Sequence, residues 1–456
     1  MNDPTVPQTV LFSDLCDRAL VAAFDQPHGS SDGGAILIKA ADQQLGLSGR
    51  LAACLGDARD PTRVTHALAD VVRQRIFGLA CGYADGNDAD RLAADPIQKL
   101  LLDRHPIVGQ TLASQPTLSR FENAVGPRAL YRMGRELAAS VIDRHRARLH
   151  GRARRITLDL DVTDDPTHGA QQLSFFHGHY DTWCYLPLLA FVTFDDEADQ
   201  YLCAALLRPG NVGATVGAHA LLQGILTLLR CAFPGARLRV RLDGGFATPA
   251  ILDQLDAEGV EYVVALAENA VLTRRAAAAM TDIRTTVAAT GLTAHVYTDT
   301  VYAAQTWARA RRVIIKAEVV ALAGREPRDN ARFVITNLHQ TPCWIYETVY
   351  CQRGEIENRI KELHHGLEID RTSCSRFWAN QLRVILTAAA YVLLQEIRLR
   401  AAGTVYARAQ VETLRARLVK IGVQVVASVR RFVLHLPLAY PDREAWTLIA
   451  HRLGAR

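Results

Sequence analysis

The stretch that decides the fold is ITLDLDVTDD, residues 156–165, in which apolar and acidic residues alternate. Alternation with a period of two predicts a β-strand and places Asp159 and Asp161 on one face. A second apolar stretch, LRVRLDGG at residues 238–245, also ends in acid, with Asp243 before two glycines that let a phosphate approach the backbone. Two buried strands that each end in an acid predict a carboxylate site where the strands end.

A third segment adds a carboxylate from a helix. YCQRGEIENRIKEL, residues 350–363, has Tyr350, Arg353 and Glu357 at i, i+3 and i+7, which places all three on one helical face. Two strand-end aspartates and a helical glutamate can hold two divalent cations about 3.5–4 Å apart, which polarise a phosphate and activate a water. The three segments together predict phosphoryl transfer on nucleic acid.

The same segments resemble the acidic motifs of DDE transposases from bacterial insertion sequences. DVT at 161–163 resembles the Asp-x-Thr of their first acid, and Asp243 resembles their second acid. YCQRGEIE at 350–357 matches the Tyr-Arg-Glu signature around their third acid. The wider text, including LDLDVTDDPTHGAQQ, LPLLAF and RFWANQLRVILTAAAYVL, is similar to the group usually called DDE group 1, and the likeness spans most of the chain.

The resemblance implies a fold class and a division of the chain. The class is α/β, with an RNase H-like mixed-sheet catalytic core, a β-rich insertion within it, and a mainly helical N-terminal DNA-binding region. The corresponding boundaries are 1–150 for the N-terminal region, 151–270 for the first part of the core, 271–345 for the insertion, 346–400 for the second part with the glutamate helix, and 401–456 for the C-terminal region.

The resemblance also implies the site residues. Asp161, Asp243 and Glu357 would be the catalytic acids and bind two Mg²⁺ ions, for which Mn²⁺ can substitute. Related enzymes often carry a lysine seven residues after the glutamate, but His364 stands at that place here and the nearest lysine is Lys361. The residues expected to bind phosphate or DNA are Tyr350, Arg353, Lys361, His364, Trp307, Arg311 and Arg312.

The implied activity is DNA transposition. The protein would bind double-stranded DNA at terminal inverted repeats, act as a homodimer in the DNA complex, and catalyse metal-dependent strand cleavage and transfer into target DNA. Two alternatives stay open. One is a catalytically silent DNA-binding protein derived from a transposase, against which three intact acids argue, and the other is an RNase H-like nuclease of another type.

Composition is compatible with this function. The chain has 456 residues, 49% of them hydrophobic and 22% charged, which indicates a globular protein of two to four domains. The net charge of +5 permits nucleic-acid binding without proving it. Nine cysteines without a C-x-x-C pair predict reduced thiols in a cytoplasmic protein. The resemblance implies that this cytoplasm is bacterial and that the protein lies on the nucleoid when it is bound to DNA. Neither a signal peptide nor a membrane span is expected.

The N-terminal pattern predicts a short β-element followed by helices. Two apolar runs within residues 1–50, VPQTVLF and GAILIKA, are expected to be strands, and residues 50–150 have helical spacing. Short helices within 105–125 are compatible with a helix-turn-helix. The basic run HRARLHGRARR at 145–155 is either a solvated face or a DNA-backbone contact, and its position between two regions favours the contact.

The rest of the pattern predicts a core of three strands followed by alternating helices and strands, the order expected of an RNase H-like fold. Residues 271–345 are expected to form antiparallel strands, and residues 378–400 an apolar helix that packs under the sheet. The predicted core comprises strands 155–163, 184–194 and 200–207, helix 215–232, strand 237–243, helix 248–257 and strand 261–267.

Several candidates have a structural interpretation as well as a functional one. Asp159 is the reserve candidate for the first acid, and Glu357 could simply pair with Lys361 four residues later. Trp307 is either a core residue or a stacking partner for a DNA base, with neighbouring arginines that suit a phosphate-facing strand. Zinc is not expected, because the spacing of the possible ligands matches no usual zinc pattern. Those ligands are His168, His177, His179 and Cys184.

Overall fold

The structure is a computed structural model, and it describes residues 8–456. It begins with a two-stranded hairpin, β1 (Gln8–Phe12) and β2 (Leu20–Phe24), joined through the short strand β3 (Gly29–Ser30) to helix α1 (Ile36–Leu45). The strand predicted for VPQTVLF therefore forms in part, while Val6 and Pro7 lie outside the described residues.

The strand predicted for GAILIKA is wrong, because this run forms the start of α1. Leu37, Ile38 and Ala41 follow helical spacing and are buried in the core. Gly46 ends the helix in the left-handed conformation, at a φ of 64°, where glycine has no steric penalty. A short apolar run fits both a strand and a helix, so periodicity alone could not separate them.

Six further helices occupy the region before the central sheet. The helical pattern predicted for residues 50–150 matches them, and α6 starts at the Gln115-Pro116 helix start, as the sequence indicates. The helices are α2 (Leu47–Ala53), α3 (Leu68–Ala80), α4 (Asp88–Leu92), α5 (Pro96–Leu101), α6 (Gln115–Ala124) and α7 (Pro127–Arg148).

A nine-stranded mixed sheet forms the centre of the fold. The elements that follow α7, up to the fifth sheet strand, alternate much as predicted, and they include a small three-stranded sheet made by β5, β7 and β6. They are β4 (Arg155–Val162), β5 (Asp165–Pro166), β6 (Phe175–His177), β7 (Thr182–Tyr185), β8 (Leu188–Phe194), β9 (Tyr201–Leu206), α8 (Ala218–Ala232), β10 (Arg237–Leu242), α9 (Pro249–Ala257) and β11 (Glu261–Leu266).

The single strand predicted for 184–194 is two strands in different sheets. Pro187 separates β7 from β8, and proline has no N–H to donate to a ladder. In the large sheet, β9, β8 and β4 are antiparallel neighbours, and β4, β10 and β11 are parallel neighbours. The strands that carry Asp161 and precede Asp243, β4 and β10, thus lie side by side, with Asp159 opposite Arg241.

The prediction of antiparallel strands throughout 271–345 is wrong at its start, where helix α10 (Ala270–Thr290) forms. Asn269 caps this helix by accepting from the N–H groups of Val271 and Leu272. The later part is antiparallel, as predicted, but its strands continue the central sheet through the pairing of β15 with β11. These strands are β12 (Ala294–Tyr302), β13 (Arg311–Val320), β14 (Arg328–Asp329) and β15 (Arg332–Thr336).

The part of the chain after β15 is mostly helical, and its longest helix covers the edge strand β9. The apolar helix predicted for 378–400 is α13 (Phe377–Arg400), which packs against α3 and β9. Within residues 8–456, no helix is both long and apolar enough to cross a membrane. The remaining elements are α11 (Pro342–Trp344), α12 (Glu355–Lys361), α14 (Val411–Leu414), β16 (Val423–Ala427), β17 (Phe432–His435) and α15 (Arg443–Arg452).

Candidate active site

Asp161 and Asp243 meet where the parallel strands β4 and β10 end. Because Asp159 is opposite Arg241, the positions two residues further along each strand bring Asp161 and Asp243 to the same end of the sheet. Asp243 begins a tight turn, in which its Oδ1 accepts from the N–H of Gly245 at 2.9 Å. Asp161 is mostly buried, whereas Asp243 is partly exposed.

A guanidinium group lies between these two carboxylates. Arg353 Nη2 is 2.9 Å from Asp161 Oδ1 and 3.9 Å from Asp243 Oδ2. Arg353 Nε is buried and has no hydrogen-bond partner among the described residues. The arginine therefore neutralises the acids incompletely and keeps one donor unused.

The helix that supplies Arg353 changes its winding at the site. A π-helical turn at Ile345–Tyr350 is followed by a 3₁₀ turn at Cys351–Gly354, then α12, then a second π-helical turn at Glu362–Gly366. Such π and 3₁₀ turns within a helix are frequent at functional sites. This winding brings Tyr350 near Arg353 and Asp243. Burial raises the pKa of the Tyr350 phenol, the charge of Arg353 lowers this pKa, and the charge of Asp243 raises it.

Glu357 lies on α12 beside the aspartate pair, with its side chain exposed. Burial raises the pKa of Asp161 to about 6; the charge of Arg353 opposes that rise, while the carboxylates of Asp243 and Glu357 add to it. Glu357 forms no ion pair with Lys361 among the residues the structure describes, and Lys361 is exposed. Because the Asp243 and Glu357 carboxylates both raise the pKa of the more buried Asp161, the site has a shortage of positive charge.

Asp159 occupies a different environment from Asp161. It is fully buried and bound by Arg241 through two bonds, Nε to Oδ1 at 2.7 Å and Nη2 to Oδ2 at 2.6 Å, while Gln200 donates to Oδ2 at 3.0 Å. Arg241 also donates to the carbonyl of Val349 at 3.1 Å. Asp159 therefore joins the sheet to the helix that carries Tyr350, and both its oxygens are already engaged.

His364, which stands at the place of the family lysine, links the glutamate helix to the first acid's strand. Its Nε2 lies 3.0 Å from Thr163 Oγ1, and its Nδ1 lies 3.0 Å from Asp370 Oδ2. Burial opposes ionisation of Asp370, but the hydrogen bond and charge of His364 lower the pKa of this carboxyl. No local motif signals Arg241, because its partner Asp159 is 82 residues away along the chain. Asp370 contacts the nearby His364, but its role depends on the contact of His364 with Thr163, 201 residues away.

The residues proposed in the insertion do not join this site. Arg311 is buried, and its Nη2 lies 2.8 Å from Asp256 Oδ2, so the prediction that Arg311 faces phosphate does not fit its position. Arg312 donates to Asp299 at 2.6 Å and is partly buried. Trp307 is half-buried, edge-on to Tyr302 with centroids 5.4 Å apart.

Arg311 also lies 5.3 Å from the Trp307 ring centroid, so the indole packs against a buried ion pair.

Among residues 8–456, no group of three or more histidine, cysteine, aspartate or glutamate side chains is close enough to hold one metal ion. The three acids likewise do not converge on one point, because Arg353 lies between the two aspartates.

A comparison with protein families identifies the family of the chain. Residues 12–455 match the family described as transposase DDE domain group 1, so the chain belongs to the DDE transposases. The predicted membership of the DDE transposases is thereby confirmed. No curated protein matches the chain.

Among solved structures, the chain has a match in the cryo-EM synaptic complex of piggyBac transposase with hairpin DNA. The two chains are 9% identical with a TM-score of 0.43, and the alignment covers 93% of this chain and 82% of that chain.

Proposed function

We propose that this DDE transposase binds the terminal inverted repeats of an insertion sequence, cleaves the DNA strand at their ends, and joins the freed end to target DNA. The observation behind the proposal is the pair of strand-end carboxylates, Asp161 and Asp243, bridged by Arg353 next to Glu357. We also propose that the core is RNase H-like, and the order β9-β8-β4-β10-β11 supports this.

The donor set suits hard divalent cations. Asp161, Asp243 and Glu357 offer only oxygen ligands, which Mg²⁺ or Mn²⁺ prefers. The buried Arg353 Nε–H, which lacks a hydrogen-bond partner, suits a phosphate oxygen and not a metal ion. The three acids would hold two ions. Bound there, the metal supplies polarisation of the phosphodiester and activation of the attacking oxygen.

The chain's own residues position the DNA. Arg353 can leave the carboxylates for a phosphate, to which a guanidinium binds in two-point geometry. Tyr350, next to it, offers a phenol O–H to the same phosphate. His364 holds Thr163 and hence the end of β4, so in this chain it acts as a positioning residue, and Lys361 is free to contact the DNA backbone.

DNA contacts outside the core would come from residues 1–150 and from the basic run at 145–155. In that run, Arg148 pairs with Glu197, and both Arg154 and Arg155 pair with Asp196. Arg146, Arg152 and Arg154 are exposed. The run lies at the start of β4, six residues and roughly 20 Å from Asp161, so DNA that passes both would extend along this strand. We propose that the remaining regions of the chain are residues 271–345, 346–400 and 401–456. We also propose that a homodimer holds the DNA.

The test is cleavage of a labelled duplex that ends in the element's inverted repeat. Asp161→Ala, Asp243→Ala and Glu357→Ala should each abolish cleavage but leave end binding in a gel-shift assay largely intact. Glu355→Ala is the matched control, because Glu355 is an exposed acid two residues earlier on the same helix. Full cleavage by Glu357→Ala would contradict the three-acid assignment. Binding without cleavage by the unmodified protein would favour a silent DNA-binding protein.

A further inference from the structure

An N-terminal arm, residues 9–27, stands apart from the rest of the chain. Its strands β1 and β2 pair only with each other, and every described side chain from 9 to 27 is exposed. Seven large apolar side chains of the arm are 43–79% exposed: Val10, Leu11, Phe12, Leu15, Leu20, Val21 and Phe24.

Both faces of this arm are apolar. Phe12 is opposite Leu20 on one face, and Leu11 is opposite Val21 on the other. A two-stranded hairpin alone is marginally stable in water, and a contiguous exposed apolar surface marks an interaction site. The arm therefore needs a partner surface that is itself apolar.

The chain carries such an apolar surface beside β9, the edge strand of the large sheet. A groove of about 390 Å³ lies between α7, α8, β9 and the first half of α13. Its rim includes two exposed aromatic side chains, Tyr131 and Trp378. A side chain added at Gly134 or Gly224 would meet no atom within 4 Å, so the groove has open space. The main apolar lining is Leu130, Tyr131, Leu221, Ile225, Trp378 and Ile385.

We propose that the arm of one copy docks into this groove of a second copy, so that two chains exchange arms. Charge favours this match, because Arg135 is the only charged residue among the described residues that line the groove. The tip of the arm carries two acids, Asp14 and Asp17, against one base, Arg18. An acidic tip and a basic rim attract each other and set the direction of docking.

The contact is made by side chains and not by strand addition. β9 is an edge strand, but Gln381 donates to the carbonyl of Ala205 and accepts from the N–H of Leu207. Gln395 binds the N–H of Leu202 in the same way, at 3.2 Å. Glutamine side chains thus already bind the Leu202 and Leu207 N–H groups and the Ala205 carbonyl of this edge, which disfavours strand addition, so an incoming arm would bury its side chains there instead.

The exchange covers the apolar arm and the apolar groove of both copies at once. The arm is tied to the body at β3, which pairs with β16, and only residues 25–28 separate β2 from β3. A two-fold axis makes the two arm–groove contacts identical, so no apolar arm or groove stays uncovered. The dimer forms without DNA, and it is independent of the proposed catalytic role.

Sedimentation of the full chain, without DNA and at micromolar concentration, tests the exchange. The unmodified protein should sediment as a dimer. Phe24→Asp on the arm and Gly224→Phe in the groove should each weaken the dimer by about tenfold or more, as loss of a central interface anchor does. The matched controls are Leu438→Asp, an equally exposed apolar site, and Gly49→Phe, an exposed helical glycine with open space. Both controls should stay dimeric.

Each contrary result overturns the exchange. A monomeric unmodified protein would mean that the arm docks within its own chain or on another partner. A dimer that survives Phe24→Asp would exclude the arm from the interface. A dimer broken by Phe24→Asp but not by Gly224→Phe would place the arm on a surface other than the groove. Thermal melts of all four variants confirm that folding is retained, since every substituted position is exposed.

Discussion

Replacing Arg353 by glutamine should increase the affinity of the DNA-free protein for divalent metal. In this structure the guanidinium lies 2.9 Å from Asp161 and 3.9 Å from Asp243, where it neutralises the acids that would bind a cation. A metal ion can therefore bind the acids only when it displaces Arg353 or when a DNA phosphate attracts Arg353 away from them. Glutamine removes the charge but keeps much of the side-chain length.

The size of the effect follows from the contact that is lost. A hydrogen bond to a charged group contributes roughly 1.5–3 kcal/mol net, a value that already includes solvation of the free partners. Because each 1.4 kcal/mol is a factor of ten, Arg353→Gln should bind metal about 10- to 150-fold more tightly. The second contact, at 3.9 Å, is weaker and adds little.

Titration with Mn²⁺, followed by electron paramagnetic resonance without DNA, measures this affinity directly. Lys361→Gln is the control, because it removes one positive charge from the same helix without touching the acids. Equal or weaker Mn²⁺ binding by Arg353→Gln, relative to the unmodified protein, would refute the competition. Arg353→Gln should still cleave DNA more slowly, because its phosphate contact is lost.

Three further outcomes are expected. Asp159→Asn should lower the free energy of unfolding in urea by about 3–5 kcal/mol, because it leaves Arg241 buried without its partner; an unchanged midpoint would contradict that role. Burial raises the pKa of Asp165 well above its usual value, so folding takes up a proton and stability falls as pH rises through the folded-state pKa. Asp165→Asn, which can keep the bond from Thr372, should therefore be more stable at pH 8, and an equal or lower melting temperature there would be the contrary result. Removing three exposed arginines of the basic run should reduce the slope of log affinity against log salt by about three, and an unchanged slope would exclude phosphate contacts by this run. These are Arg146, Arg152 and Arg154.

Local pattern was sufficient for several elements and for the family. Alternation predicted β4 and β10 to within one residue, and the i, i+3, i+7 spacing placed Tyr350, Arg353 and Glu357 on one helix. Local pattern failed at α10, where a run rich in alanine and threonine gave no clear period. It also failed at GAILIKA, a run too short for its pattern to distinguish a helix from a strand. The roles assigned to the three acids stay predictions until they are tested.

The sequence by itself therefore determined which strands and which helix carry the acids, since periodicity and motif spacing are local properties. Only the tertiary structure decided which of the two aspartates has both its oxygens bound by a buried arginine. Asp159 and Asp161 look alike in the sequence, but Arg241, 82 residues away along the chain, takes both oxygens of Asp159. The position of Arg353 between Asp161 and Asp243 was likewise undecided, because it depends on how the helix after β15 docks on the ends of β4 and β10. Ion pairs between distant segments form only once the sheet has set their register, and no spacing rule along the chain contains that information.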